Sequence, residues 1–295
     1  MSTPKPLLIA DVPWLLYRGF FGLPKSIVGG DGRPVNALLG AVNAVLAVLS
    51  ERPARAVVAC FGAEQAAYRV KLYEPYHAHR DPMPEELAWQ WRKAQGLMES
   101  LGWTVRDAGE LEADDAMYSY ARTEEEAGGE ALLLTADRDL FQAVSERVRM
   151  VELAKGRVAW EIGPEQVRER YEGVGPELVC DLIALRGDPS DGLPGAPGIG
   201  VKTAAELLLR YGSLEGVLEA AGAGGTALRP RASATLRAHA KQLKVFKEIA
   251  ELVRIPVERP ADRETDFTAG AAAARELGMA RLAERLEELA RLSST

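Results

Sequence analysis

The sequence predicts an α/β fold: a mostly parallel central sheet flanked by helices, followed by a helical region that contains a helix–hairpin–helix. In the first half, short apolar runs alternate with amphipathic stretches of helical period, which is typical of parallel strands covered on both faces. After about residue 164 helical patterns dominate, and Gly and Pro cluster between Gly187 and Gly200. The 295 residues allow two modest domains. We therefore expect an α/β domain at residues 1–163 and a helical domain at residues 164–295.

The first half supplies three strands and three long helices. The predicted strands are short aliphatic runs, and they cover residues 6–10, 55–61 and 131–135. The predicted helices carry apolar residues at helical spacing, and they cover residues 35–49, 85–101 and 112–127. The last two helices also begin with acidic residues, which complement the dipole of a helix.

The second half is predicted to place a glycine-rich hairpin between helices at residues 177–185 and 201–211. The hairpin reads GAPGIG at 195–200, and Lys202 and Thr203 follow it. Its glycines would let backbone amides approach a nucleic-acid phosphate, with Lys202 adding charge. A tight turn without any ligand is a competing explanation. Two short helices at about 270–292 are expected to be packing elements.

A basic segment at residues 229–247 is the second candidate for contact with nucleic acid. It contains six cations and no acid: Arg229, Arg231, Arg237, Lys241, Lys244 and Lys247. Charge runs usually form solvated helix faces, but this one exceeds what solubility requires. Together with Lys202 we interpret it as a sequence-independent, salt-sensitive track for a duplex backbone.

The overall composition excludes several classes of protein. With 47% apolar and 27% charged residues, the chain is globular rather than disordered. Cys60 and Cys180 lie in apolar runs and only three His are present, which argues against a disulfide framework and against a zinc enzyme. No segment is long enough to cross a bilayer, and the N-terminal apolar run is too short for a signal peptide. We expect a cytoplasmic monomer with no membrane partner.

Eight acids stand out because of where they fall along the predicted elements. They follow the first and third strands, open the helix at residue 112, or lie in the turn-rich loop RGDPSDGLPG: Asp11, Glu112, Asp114, Asp115, Asp137, Asp139, Asp188 and Asp191. The carboxyl ends of parallel strands meet at one edge of a sheet, where such folds bind ligands. We therefore expect these carboxylates to converge.

Such a cluster requires cations, because two carboxylates about 4 Å apart repel by roughly 4 kcal/mol at an effective dielectric constant near 20. Oxygen-only ligands suit Mg²⁺ or Mn²⁺, and two such ions can clamp a phosphodiester during hydrolysis. Each acidic group alone is better explained by helix capping or by a turn. The placement of all these acidic groups at one edge of the sheet favours a metal site.

The net charge of −7, from 36 Lys and Arg against 43 Asp and Glu, argues against nucleic-acid binding when it is taken alone. Without the eight proposed ligands the formal charge changes from −7 to +1. The acidic excess therefore lies in one cluster that metal ions would neutralise.

Three motifs carry a family resemblance. LEADDA at 111–116, LLLTADRDLFQ at 132–142 and LRGDPSDGLPGAPGIGVKTAAELLLRYGSLE at 185–215 resemble the 5′–3′ exonuclease (flap endonuclease) family, which includes the N-terminal domain of bacterial DNA polymerase I. The resemblance runs from about residue 7 through the C-terminal helices, and no polymerase domain follows. It implies a PIN-like sheet and a stand-alone, two-metal nuclease for DNA with a 5′ end or a 5′ flap.

The resemblance also implies roles for individual residues. The eight acids match the family's ligands for two ions, Mg²⁺ or Mn²⁺, and the hairpin often holds a monovalent cation such as K⁺. Residues 76–97 correspond to a helical arch through which the 5′ strand passes, with His77 and Arg80 as candidate catalytic residues. The implied DNA-binding residues are Tyr17, Arg18, Tyr76, Gly198, Gly200, Lys202, Thr203, Arg237, Lys241 and Lys244.

Two departures from the family pattern bear on activity. Family members usually have an aspartate after the second strand and a lysine in the arch, where this chain has Gly62 and His77. Histidine can replace the lysine charge only when it is protonated. The alternative function is therefore a flap- or duplex-DNA-binding protein with impaired catalysis, and an RNA-directed nuclease is a third hypothesis. If the protein is an active 5′ nuclease, Gly62→Asp with His77→Lys is expected to raise the rate of DNA cleavage.

Overall fold

The computed structural model describes residues 5–154, 157–223 and 228–293. Its single sheet consists of β1 (Leu7–Asp11), β2 (Ala56–Phe61), β3 (Thr104–Asp107), β4 (Ala131–Leu134), β5 (Val148–Ala154) and β6 (Arg157–Ile162). The strand order is β3-β2-β1-β4-β5-β6, and all neighbours are parallel except β5 and β6. The predicted mostly parallel α/β sheet is confirmed. The strand order reverses at β1, which is where ligands bind in open sheets of this kind.

The helices of the first half cover both faces of this sheet. They are α1 (Val12–Gly22), α2 (Asn36–Glu51), α3 (Ala67–Leu72), α4 (Glu85–Ser100) and α5 (Ala113–Glu126), with a 3-10 helix at Arg138–Ala143. The predicted helices correspond to α2, α4 and α5, and their ends agree to within two residues. Helices α1 and α3 and strands β3, β5 and β6 were not predicted.

The second half is helical, as predicted. Its helices are α6 (Pro164–Arg170), α7 (Val179–Arg186), α8 (Val201–Tyr211), α9 (Leu214–Gly222), α10 (Pro230–Ala250), α11 (Phe267–Glu276) and α12 (Ala280–Ser293), with a 3-10 turn at Pro176–Leu178. The glycine-rich hairpin lies between α7 and α8. None of the helices described is both long and apolar enough to span a membrane.

Helices α1, α2 and α4 are fixed to one another by close backbone approach and by two buried amides. A side chain at Gly19 would lie 2.8 Å from the carbonyl oxygen of Ala37, so α1 and α2 touch through their main chains. The buried Asn36 donates to the carbonyl of Phe20 at 2.9 Å, near the end of α1. Buried Gln90 of α4 accepts from the first turn of α2, at 2.8 Å from Ala37 N. The N-terminal turn of α2 therefore ties all three helices together.

Residues 251–266, which we call the return segment, carry the chain from α10 back to the first half. The N–H of Arg263 donates to the carbonyl of Arg55, and the guanidinium of Arg55 reaches the Pro260 carbonyl at 2.7 Å. Buried Glu124 of α5 pairs with both Arg55 and Arg259. The segment thus fastens to the amino-terminal end of β2 and to α5.

Helices α11 and α12 also pack on the first half. Their buried residues Ala274, Leu282 and Leu286 belong to the same apolar core as Leu38 of α2 and Leu97 of α4. The other core combines the opposite face of the sheet with α7 to α10. The boundary at residues 163/164 stays a prediction, but the last two helices lie with the α/β half rather than with the hairpin.

The predicted arch at residues 76–97 differs from the structure in its helical part. Helix α4 begins at Glu85, and its face from Leu87 through Met98 is buried against the body of the protein. Only the stretch before it, residues 73–84, is an irregular loop with turns. This loop, rather than a helical arch, borders the site described below.

Candidate active site

The carboxyl ends of β1 and β4 bring the predicted acids together. Asp11 is the last residue of β1, and Asp137 lies three residues beyond the end of β4. Between them, buried Thr135 donates its hydroxyl to Asp11 Oδ2 at 2.7 Å and accepts the N–H of Asp137 at 3.0 Å. Sequence reasoning missed Thr135. Its signal was a hydroxyl directly at the end of an aliphatic run, beside the acids.

Four acids at this edge have raised pKa values. Burial is the largest cause for Asp11, Asp114, Asp137 and Asp139. For Asp114 and Asp139 the charge of Asp137 raises the pKa further. The pKa of Asp137 rises to about 6, although a hydrogen bond from the N–H of Asp139 opposes the shift. These carboxylates repel one another within the protein, as the sequence predicted.

The other predicted ligands have cationic neighbours. Glu112 lies 3.2 Å from Arg69, Asp188 lies 3.3 Å from Arg186, and Asp191 contacts both His77 and Arg80. In the described part of the chain, no Lys, Arg or His forms an ion pair with any of the four acids whose pKa is raised. The uncompensated negative charge is therefore concentrated on those four.

Asp115 lies outside the cluster, although it is next to Asp114 in the sequence. It is fully buried, and its oxygens accept from both terminal nitrogens of Arg69 at 2.9 and 3.1 Å. They also accept the N–H groups of Val253 at 2.7 Å and Glu112 at 3.2 Å. In this geometry the oxygens of Asp115 hold a buried arginine and cap α5, so we leave Asp115 out of the proposed ligand set below.

Tyr76, a predicted DNA contact, is almost enclosed by the protein and lines the cleft described below. Its side chain is only 3% exposed, and its hydroxyl lies 3.0 Å from Glu112 Oε2. Its ring stacks on His77 with 3.8 Å between centroids. Tyr76 therefore holds Glu112 and His77 in place, and its role in DNA binding stays a prediction.

His77 and Arg80 tie the irregular loop to the acidic loop of the second half. His77 Nε2 lies 2.9 Å from Asp191 Oδ1, and its main-chain N–H donates to the Asp191 carbonyl at 3.1 Å. His77 adopts a left-handed φ of 56°, which is uncommon for a non-glycine residue. Arg80 donates to the same Oδ1 at 3.3 Å while its side chain is 46% exposed. Arg80 is thus the cation that can still reach a ligand.

Gly62, where the resemblance leads us to expect an aspartate, is covered by main chain. A Cβ at this position would lie 2.5 Å from Ala113 N and 2.6 Å from the carbonyl carbon of Glu112. The N–H of Ala63 donates to the carbonyl of Leu111 at 2.8 Å, which holds this contact closed. The start of α5 therefore fills the space that a side chain at residue 62 would need.

The cluster fits a divalent cation by its chemistry and its charge. Its donors are carboxylate oxygens, the ligands that Mg²⁺ and Mn²⁺ prefer. Among residues 5–154, 157–223 and 228–293, no three His, Cys, Asp or Glu side chains already form a closed ligand set. Side chains would therefore rotate to close around a cation. Burial raises the pKa of all four acids, and neighbouring carboxylates raise the pKa of Asp114, Asp137 and Asp139 further, as expected of such a site before its charge is neutralised.

A cleft of about 970 Å³ opens in front of the acids. Tyr17 and Arg18, both predicted to bind DNA, lie on α1 and are half-buried, and Tyr17 lines the cleft. The hydroxyl of Tyr17 donates to Glu64 Oε1 at 2.5 Å, and the guanidinium of Arg18 lies 5.7 Å from the ring centre of Trp14. The cleft joins the acids to an aromatic surface.

The hairpin places its predicted phosphate contacts at the surface. Gly198, Gly200 and Lys202 are exposed, and Thr203 is half-buried. Gly198 needs its glycine because φ is 79°, whereas Gly200 has a φ of −88° and open space around a Cβ. Among the described residues no close contact requires a glycine at residue 200, which is the N-cap of α8, a position where glycine is common.

Helix α10 exposes Arg237, Lys241 and Lys244 at a spacing that puts them on one helix face. Within the described residues, none of the three forms an ion pair. Lys247 differs from its predicted role, since it bonds to Asp181 at 2.8 Å and to Glu215 at 2.9 Å. The basic surface is therefore smaller than the six cations suggested.

Two family models match the chain. The model described as 5′–3′ exonuclease, N-terminal resolvase-like domain, covers residues 6–172, and the model described as 5′–3′ exonuclease, C-terminal SAM fold, covers residues 174–268. Among curated relatives, thermostable DNA polymerase I of Thermus thermophilus is 37% identical over 95% of this chain and 32% of its own. A 5′–3′ exonuclease of Mycobacterium tuberculosis is 33% identical over 88% of this chain and 86% of its own. The chain spans about a third of the polymerase relatives.

Solved structures share the fold at low sequence identity. A bacteriophage T5 5′-exonuclease with bound zinc ions matches 96% of this chain and 99% of its own, with a TM-score of 0.70 and 16% identity. A T5 flap endonuclease complexed with DNA and metal ions has a TM-score of 0.69, covering 97% of this chain and 100% of its own, at 17% identity. The catalytic core of Rad2 with DNA has a TM-score of 0.63 at 14% identity, covering 97% and 90%.

Proposed function

The chain belongs to the 5′–3′ exonuclease family, and we propose that it is an active nuclease of that family. It hydrolyses phosphodiester bonds in DNA that carries a 5′ end or a 5′ flap, as a 5′–3′ exonuclease and 5′-flap endonuclease. The observation that carries this proposal is the group of four acids at the reversal of strand order, which have no cationic partner among the described residues. A protein that only binds DNA gains nothing from so costly a cluster beside its phosphate-binding surface.

The proposed cofactors are two Mg²⁺ or Mn²⁺ ions. Asp11, Asp114, Asp137 and Asp139 would hold them, and Glu112, Asp188 and Asp191 would complete the ligand set. When bound, divalent ions activate water and stabilise the charge that develops on phosphate oxygens. Bound zinc in the T5 5′-exonuclease supports a divalent ion at this fold.

The chain's own residues do the positioning. Thr135 orients the carboxylate of Asp11, and Tyr76 orients that of Glu112. Arg80 lies at the edge of the cleft, where its exposed guanidinium can contact the scissile phosphate. His77 acts through Asp191, whose carboxylate and carbonyl it holds.

The proposed duplex contacts are Gly198, Gly200, Lys202 and Thr203 of the hairpin and Arg237, Lys241 and Lys244 of α10. Backbone amides at a helix N-terminus and unpaired cations recognise phosphates without reading sequence. A K⁺ ion at the hairpin is part of this proposal. The complexes of T5 flap endonuclease and Rad2 with DNA support the substrate class. We also propose that the protein acts as a monomer in the cytoplasm.

The alternative is a DNA-binding protein with impaired catalysis. It is favoured by Gly62, whose space is filled by main chain, and by His77, whose ring is engaged with Asp191. Both features remove groups that the family normally supplies, one carboxylate and one permanent cation.

A cleavage assay with a labelled 5′-flap duplex separates these functions. With Mg²⁺ or Mn²⁺ we expect cleavage near the junction, abolished by Asp137→Asn and by chelation, and unchanged in the exposed control Glu219→Gln. Tight flap binding without metal-dependent cleavage would establish the alternative. Preferential cleavage of a matched RNA flap would instead point to an RNA-directed nuclease.

A further inference from the structure

The cleft has an aromatic wall that metal binding does not explain. We define this wall as Trp14, Tyr17 and Phe21 of α1 together with Trp91 of α4, all of which line the cleft. The three residues of α1 are spaced three and four apart, so they share one helix face. The opposite face, with Leu15, Leu16 and Phe20, is buried. The wall therefore faces the same space as the acids.

Phe21 is the unusual member of the wall, because 70% of this large apolar side chain is exposed. Its ring is nearly parallel to that of Tyr17, with 6.2 Å between centroids and 27° between planes. The edge of Phe20 supports it at 5.1 Å. One face of a flat ring is thus presented to the cleft with neighbours only behind and beside it.

Helix α1 holds this ring in a fixed place. Gly19 lies directly against the main chain of α2, and Asn36 donates to the carbonyls of Phe20 and Leu23 at 2.9 and 3.0 Å. Because the helix end is capped and its crossing is tight, Phe21 loses little freedom when something stacks on it.

The charges around the wall narrow the class of ligand. Besides the proposed metal ligands, the lining of the cleft includes the carboxylates of Glu64 and Asp81. The cations nearest the wall are Arg80, whose exposed guanidinium lines the same cleft, and Arg18, which lies over the ring of Trp14. A flat apolar platform beside cations suits a chain that alternates flat rings with phosphates, which is single-stranded nucleic acid. A base inside a duplex has both faces covered by its neighbours and cannot stack on a side chain.

We propose that Phe21, supported by Tyr17, stacks an unpaired nucleobase of the 5′ strand and so selects single-stranded DNA at the entrance to the cleft. This inference rests on the proposed function and names how the same site recognises its substrate. The base reaches the ring while its phosphates lie toward Arg80 and the acids.

The test measures binding without cleavage, in Ca²⁺ or with chelator, by fluorescence anisotropy. The probes are two 5′-flap duplexes that differ only in whether the flap nucleotides carry bases or are abasic. Phe21→Ala should weaken binding of the flap with bases by about 5-fold to 150-fold and leave binding of the abasic flap unchanged. Phe21→Trp should keep the preference for bases. The control is Trp160→Ala, which removes another exposed aromatic, on β6, away from the cleft.

A second readout places the ring against a base directly. A 2-aminopurine in the flap should lose fluorescence on binding the unsubstituted protein and regain it with Phe21→Ala. Equal losses for both flaps, no change with Phe21→Ala, or no flap binding by the unsubstituted protein would overturn the proposal. The proposed nuclease function can fail independently of this proposal. In that case the protein would still bind the flap with bases more tightly than the abasic flap, but it would not cleave DNA when metal is added.

Discussion

At residue 62, the main chain of residues 111–113 covers the end of β2 and leaves no space for a side chain. We therefore predict that Gly62→Asp lowers the free energy of unfolding by about 1–3 kcal/mol, the usual cost of overpacking. The same clash displaces Glu112, so cleavage should fall rather than rise. This reverses the expectation, drawn from the family pattern, that Gly62→Asp with His77→Lys raises the rate.

Chemical denaturation and the flap assay check this prediction together. Gly96→Asp is the matched control, because Gly96 lies in α4 with open space around a Cβ. A Gly62→Asp protein with unchanged stability and faster cleavage would show that the start of α5 moves aside easily.

The raised pKa of Asp137 predicts how stability varies with pH. Because its folded pKa is about 6 and its ordinary value is 3.8, the folded protein binds a proton that the unfolded chain releases between these values. In metal-free protein the free energy of unfolding should therefore fall as pH rises from about 4 to about 6. Asp137→Asn should fall less over this window, and added Mn²⁺ should restore stability above pH 6. A stability that rises through this window equally in both proteins would contradict the assignment.

Individual site residues were predictable where strand ends converge, and less so where a partner comes from elsewhere. Asp11, Asp114, Asp137 and Asp139 follow from the rule for parallel sheets. Asp114 and Asp115 are neighbours in sequence, but successive helix residues point about 100° apart, so only Asp114 faces the cluster. Arg69, which forms hydrogen bonds with Asp115, is 46 residues away in the sequence. It lies on α3, a helix that the sequence did not predict.

At the scale of elements, Arg69 joins three helices. Its guanidinium contacts Glu112 and Asp115 at the start of α5, and its Nε donates to the carbonyl of Ile249 near the end of α10 at 3.0 Å. The side chain is almost fully buried. The proposed metal ligand Glu112 and the basic helix α10 are therefore connected through one side chain.

We predict that Arg69→Met lowers the free energy of unfolding by about 3–5 kcal/mol, because it leaves the charge of Asp115 buried without a partner. The double variant Arg69→Met with Asp115→Leu should be less destabilised than the single one. Urea denaturation of the two single variants and the double variant gives the interaction free energy between Arg69 and Asp115. Strictly additive losses would show that the two side chains do not act as a pair.

The elements that sequence analysis missed are short or lie at edges. Strand β3 has four residues that are only partly buried, and β5 and β6 form an antiparallel edge in which Trp160 faces solvent. Helix α1 follows β1 without a break, since Asp11 is both the last strand residue and the N-cap that accepts from Trp14 N at 3.0 Å. Hydrophobic periodicity identifies long buried elements, and it gives only a weak signal in short strands and edge strands such as these.

For the whole molecule, charge is separated between the acidic cleft and the basic face of α10. We predict that Lys241→Gln with Lys244→Gln lowers the magnitude of the slope of log affinity against log salt by about 1.8, because each lost phosphate contact contributes about 0.9. Arg281→Gln with Arg285→Gln, on α12, should leave the slope unchanged. Anisotropy titrations of a flap duplex over a range of salt provide the measurement. Equal slopes for all three proteins would remove α10 from the duplex surface.

The return segment has a consequence for how the protein is made. Arg55 is synthesised early, yet its partners Pro260 and Asp262 lie 205 and 207 residues later. The apolar faces of α2 and α4 likewise wait for α11 and α12. Until α11 and α12 have been synthesised, the half that carries the acids therefore has one apolar side exposed to water. A chain cut short before these helices has the clustered acids but not the packing that completes their support, so the first half can finish folding only after α11 and α12 have been synthesised.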